Sequence, residues 1–79
     1  MIKNANYQDQ LLNLARKENV FITVFLVNGF QIRGMLKAFD QYVIFLDVEG
    51  KQQMVYKHAI STVIFSKPLK LEYNTEPEE

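Results

Sequence analysis

Cysteine and tryptophan are absent from the 79 residues, and histidine occurs once. Without cysteine there is neither a disulfide nor a cysteine-type zinc site, and a reducing compartment fits. One histidine cannot build a zinc site within a single chain. The three glycines, Gly29, Gly34 and Gly50, are scattered and make no phosphate-cradling loop. Paired-carboxylate motifs are missing: Asp9 and Asp40 are far apart, and each has a structural reading, as a first-turn helix charge and as a turn residue. The expectation is a protein without catalysis, cofactor or metal. The longest apolar run, Val20 to Val27 with Thr23 inside it, falls far short of the roughly 20 residues that span a bilayer. No apolar stretch follows Met1-Ile2-Lys3-Asn4, so no secretory signal is expected. A soluble, cytoplasmic protein is the resulting expectation.

Net charge is also missing, but only on average. Nine Lys and Arg balance nine Asp and Glu. All nine bases lie at or before Lys70, together with five acids, Asp9, Glu18, Asp40, Asp47 and Glu49. That body carries +4, and the stretch from Glu72 to Glu79 carries −4. Such asymmetry points to an interaction tail or a polyanion surface.

A hydrophobic content of 48% suits a folded domain. A chain this short buries only about 60–65% of its unfolded surface and has little stability to spare. Without disulfides or metal, such chains often gain stability by oligomerising. Ten aromatics, four Tyr and six Phe, exceed what a small core needs, which leaves some for an interface or a ligand surface.

One domain without repeats is expected: a loose lead-in at 1–6, a folded region at 7–68 and a short acidic disordered tail at 69–79. Asn6 can cap a helix over 7–17, with Asp9 at the positive end and Arg16 and Lys17 at the negative end. Tyr7, Leu11, Leu14 and Ala15 share one face, and Asn19 can stop the helix. Five strands follow, at about 20–27, 30–39, 42–48, 51–57 and 60–65. Asn28-Gly29 is a strong two-residue hairpin signal. Gly34 suggests a bend or bulge. Asp40-Gln41 and Glu49-Gly50 mark further turns. The first strand is nearly continuous in apolar residues, which suggests cover on both faces. The fold expected is mainly β: an N-terminal helix and a strongly bent five-stranded antiparallel barrel. His58-Ala59 is too short for a wide hairpin, so strands four and five should diverge and leave two open edges. Another copy of the chain is the economical cover, and such a contact closes into a ring if the rotation permits.

Three constellations could bind a ligand. Lys57 and His58, with Gln41 and Tyr42 nearby, combine cation, amide and exposed aromatic, the usual kit for single-stranded nucleic acid. In an isolated chain they also read as a solvated turn. Phe25, Asn28, Gly29, Phe30 and Arg33 surround the first hairpin; Phe25 alone also reads as core. Asn13, Arg16 and Lys17 form either a solvated helix face or a weak, salt-dependent phosphate patch.

Three segments, Leu26-Val27-Asn28-Gly29-Phe30, Phe39-Asp40-Gln41-Tyr42-Val43-Ile44 and Gln53-Met54-Val55-Tyr56-Lys57-His58-Ala59-Ile60-Ser61-Thr62, occur in order. In these the chain resembles Hfq, the bacterial Sm-like (LSm) RNA chaperone family, from about Gln8 to Pro68. The resemblance implies a homohexameric ring of Sm-like domains without catalysis. It implies binding of small regulatory RNA and mRNA, promotion of their pairing, and a part in post-transcriptional regulation and stress response. Weak DNA binding is a further expectation. It implies a proximal face for U-rich ends at Gln8, Gln41, Tyr42, Lys57 and His58. A distal face for A-rich RNA falls at Phe25, Leu26, Gly29, Phe30, Gln31, Ile32, Arg33, Gln53 and Thr62. The rim falls at Asn13, Arg16, Lys17 and Phe39. Tyr42 stands where Phe is common, and Phe25 where many relatives carry Tyr. Arg33 stands where enterobacterial members have Gln, which favours an alternation of purine and linker nucleotides. The rim reads Arg16-Lys17-Glu18-Asn19, less basic than enterobacterial rims, so weak annealing is expected.

Overall fold

A computed structural model describes residues 7–71. The expected lead-in at 1–6, the Asn6 cap and the acidic stretch 72–79 lie outside the described residues. Helix α1 runs Tyr7–Lys17, and strands β1 to β5 run Phe21–Leu26, Gln31–Phe39, Val43–Val48, Lys51–Tyr56 and Ile60–Phe65. A single 3₁₀ turn, Lys57–Ala59, joins β4 to β5. All pairings are antiparallel, in the order β4-β3-β2-β1-β5. The two edges are therefore β4 and β5, as the short break between them implies.

The helix stops where Asn19 adopts φ 54, a left-handed conformation that Asn tolerates. Val20 N–H then donates to Ala15 O at 2.9 Å, closing the end of the helix. The buried face differs from the one the spacing suggests. Leu12 and Ala15 point into the core, while Tyr7, Leu11 and Leu14 are only half-buried flanks. The apolar stripe is wider than one column, and packing on the sheet selects its middle.

Ile22, Val24, Leu36, Ile44 and Leu46 are fully buried and form the centre of the core. Each contributes on the order of 1.5–3 kcal/mol by leaving water. Leu69, assigned to the tail by sequence, packs against this core. The outer face of β1 is not covered within one chain: Phe21 is 45% exposed, and Thr23 and Phe25 are half-buried. The apolar run is continuous because its outer residues form a surface.

Of the two expected hairpin turns, Glu49-Gly50 forms as the sequence implies and Asn28-Gly29 does not. The first hairpin has a three-residue loop, Val27-Asn28-Gly29, rather than a two-residue turn. Gly29 N–H donates to Leu26 O at 2.9 Å and Leu26 N–H to Phe30 O at 2.8 Å, with Gly29 alone at positive φ (+97). The two-residue turn with both φ positive is Glu49-Gly50 (52 and 85), steadied by Gly50 N–H donating to Asp47 Oδ1 at 2.9 Å. The irregularity in β2 also falls elsewhere than Gly34. Register shifts between Leu36 and Ala38, leaving Lys37 as the bulged residue. Gly34 instead marks a close approach: a Cβ there would sit 2.6 Å from Asp47 O.

Candidate functional site

Strand alternation places side chains before any ligand is considered. Phe25 on β1 pairs with Gln31 on β2 and with Thr62 on β5, so these three form one row across the sheet. The next row is Arg33, Thr23 and Ile64. Beside it the Arg33 guanidinium lies 5.4 Å from the centroid of the Phe21 ring. Phe30 stands at the loop end, 69% exposed, its N–H donating to Asn28 Oδ1 at 3.0 Å. A Cβ on Gly29 would meet nothing within 4 Å, so the loop surface beside Phe30 is open. Leu26 and Ile32 pack against the core and support this row from beneath. Gln53 is not brought to it: it lies on β4 opposite buried Leu46 of β3, at the other edge of the sheet from Thr62.

The second cluster gathers where β4 ends. Asp40 Oδ1 accepts from Tyr42 N–H at 2.8 Å and Val43 N–H at 2.9 Å. This turn holds Tyr42 outward, 67% exposed, with Gln41 beside it. The same two N–H groups hold the Asp40 carboxyl below its ordinary 3.8 against the opposing desolvation, with a lesser contribution from the Lys57 charge. Lys57 N–H donates to Tyr42 O at 2.7 Å, which ties the 3₁₀ turn to this aromatic.

Lys57 is a held cation rather than an extended one. Its Nζ lies 3.8 Å from Asp9 Oδ1 and 5.5 Å from the Phe39 ring centroid, and its side chain is only 16% exposed. Sequence reasoning gave Asp9 a helix-dipole role and missed this contact. A lysine four strands further along the chain carried no local signal of it. His58 is exposed and stacks on Tyr56, ring centroids 5.8 Å apart. Gln8 shares a cavity of about 310 Å³ with Lys57, Leu11, Ile60 and Phe65, between α1 and the β5 edge. The 3₁₀ turn links the two clusters: Lys57 bonds to Tyr42, and Val27 N–H donates to Ala59 O at 2.8 Å.

Of the rim residues, Asn13, Arg16 and Phe39 line one surface cavity, whereas Lys17 is exposed outside it. Lys37 and Ala38 complete that cavity. Among the described residues, no group of His, Cys, Asp and Glu could hold a metal ion, and no helix is long and apolar enough to cross a membrane.

One helix leading into a bent five-stranded sheet with two open edges defines an Sm-like protein. The family model described as "Hfq protein" matches residues 7–70. The "RNA-binding protein Hfq" of Bacillus licheniformis is 56% identical over 71 residues, covering 90% of this chain and 97% of the relative. That of Bacillus thuringiensis is 53% identical over 72 residues, covering 91% and 97%. A crystal structure at 1.55 Å of "the pleiotropic translational regulator, Hfq" superposes with a TM-score of 0.73 at 44% identity, covering 75% of this chain and 98% of that one. The chain belongs to the Hfq family.

Proposed function

We propose that this chain is a non-catalytic, cytoplasmic RNA-binding protein that assembles into a homohexameric ring. One face takes U-rich small-RNA ends through Gln8, Gln41, Tyr42, Lys57 and His58. The other takes A-rich mRNA segments through Phe25, Gly29, Phe30, Gln31, Arg33 and Thr62, over Leu26 and Ile32. Asn13, Arg16, Lys17 and Phe39 form a rim between them. Holding two RNAs on one particle raises their effective concentration and promotes pairing, the step through which the protein acts in post-transcriptional regulation.

The observation that carries this reading is the row Gln31-Phe25-Thr62 with Phe30 exposed beside it. An aromatic flanked by an amide and a hydroxyl on an open sheet suits stacking and edge recognition of a base. Ring assembly is supported by the edges. β4 exposes Met54 and Tyr56 and β5 exposes Ile64, an arrangement that an isolated soluble sheet avoids. In a ring, Gln53 on β4 of one copy would approach Thr62 on β5 of the next, joining a residue that one chain leaves isolated.

Native mass spectrometry should give a six-fold mass. In titrations with oligo-U and oligo-A, Lys57→Ala should weaken oligo-U binding by about tenfold or more while sparing oligo-A. Phe30→Asp should do the reverse. Equal losses of both RNAs from either change would refute the two-face assignment, and matched DNA should bind more weakly than RNA.

A further inference from the structure

The flank of α1 is more basic than the helix sequence alone. Two surface cavities meet at Asn13. One, of about 330 Å³, is lined by Asn13, Arg16, Lys37, Ala38 and Phe39. The other, of about 270 Å³, is lined by Gln10, Asn13, Leu14 and Lys70. Three cations from distant parts of the chain therefore border one surface, and among the described residues no acid lines either cavity.

Each cation has a cause for its position. Arg16 Nη2 donates to Asn13 Oδ1 at 2.6 Å, which holds the guanidinium beside the shared residue. Lys37 is the bulged residue of β2, skipped by the register that pairs Leu36 with Leu46 and Ala38 with Phe45. The bulge turns it and Ala38 both to the exterior beside α1. Lys70 follows a segment pinned three times. Ser66 N–H donates to Phe21 O at 2.9 Å, Lys67 Nζ lies 3.8 Å from Glu18 Oε1, and Leu69 packs on the core. The Lys67 contact also offsets the charge of Glu18, the acid at the end of α1.

We infer that Lys37 and Lys70 complete a lateral phosphate-binding strip with Arg16 across Asn13, on which single-stranded RNA backbone lies without base readout. The inference rests on the RNA-binding reading above. It replaces the cations that the short Arg16-Lys17 run lacks, so the rim is built by tertiary structure instead of helix sequence. Such contacts read charge alone and show themselves in salt dependence.

The test uses the full-length protein and a mixed-sequence single-stranded RNA long enough to leave either homopolymer site. Each of Lys37→Gln and Lys70→Gln should reduce the slope of log K against log salt by about 0.7, and the double variant by about 1.4. A change of about 0.7 amounts to roughly fivefold in affinity per tenfold dilution of salt. Short oligo-U and oligo-A should bind as to the wild type. Lys51→Gln, at the exposed β3–β4 turn, should leave the slope unchanged. An unaltered slope in the double variant, or an equal loss from Lys51→Gln, overturns the strip. Wild-type protein that binds no RNA at any salt overturns the RNA-binding reading itself.

Discussion

Asp40 does two jobs with one carboxylate. It accepts two backbone N–H groups that shape the turn, and in doing so it presents Tyr42. Both bonds favour the charged form, so its folded pKa lies below the ordinary 3.8. A lowered folded value contributes stability above pH 3.8, and that contribution is lost as pH falls through the folded value. Asp40→Asn should therefore lower the urea midpoint at neutral pH. The gap between variant and wild type should close as pH falls below 3.8, and a gap independent of pH would refute the assignment. This turn was legible in sequence because Asp is a turn former. The ion pair between Asp9 and Lys57 was not, because it depends on how α1 sits over the end of β4.

At the scale of elements, local pattern revealed kind and order, while pairing decided detail. Apolar spacing and β-branched runs identify α1 and the five strands, because periodicity is a property of the segment itself. Loop length and bulge position are properties of two strands at once. Asn28-Gly29 reads as a two-residue turn until its neighbours' hydrogen bonds are known, and nothing around Lys37 announces a bulge. The two glycines of this region give contrasting predictions. Gly34→Ala would drive a Cβ to 2.6 Å from Asp47 O and 2.9 Å from Val48 Cγ2. Backbone cannot retreat easily, so a loss of about 1–3 kcal/mol in chemical denaturation is expected. Gly29→Ala has open space but a φ of +97, so its cost of about 1–2 kcal/mol is backbone strain alone. Truncating a neighbour, as in Val48→Ala, should partly relieve the first variant and leave the second unchanged.

For the whole molecule, the candidate site divides by how far its residues must travel. Phe25, Gln31 and Thr62 were named from sequence, and the sheet sets them in one row. Lys37 and Lys70 were not, since their approach to Asn13 needs the bulge and the return of the chain past β5. The strand order has a further consequence, for the time course of folding. β1 finds its second partner only in β5, with Ile22 opposite Phe65. On a ribosome, Phe21–Leu26 is made early and waits for the last strand. Meanwhile it is a short, uncharged, β-prone segment with an unpaired edge, the type that seeds aggregation. A chain stopped after Ala59 should fail to unfold cooperatively and should precipitate, whereas one stopped after Leu71 should fold. Synthesis must therefore outrun self-association of β1, and each copy is at risk until its own fifth strand arrives.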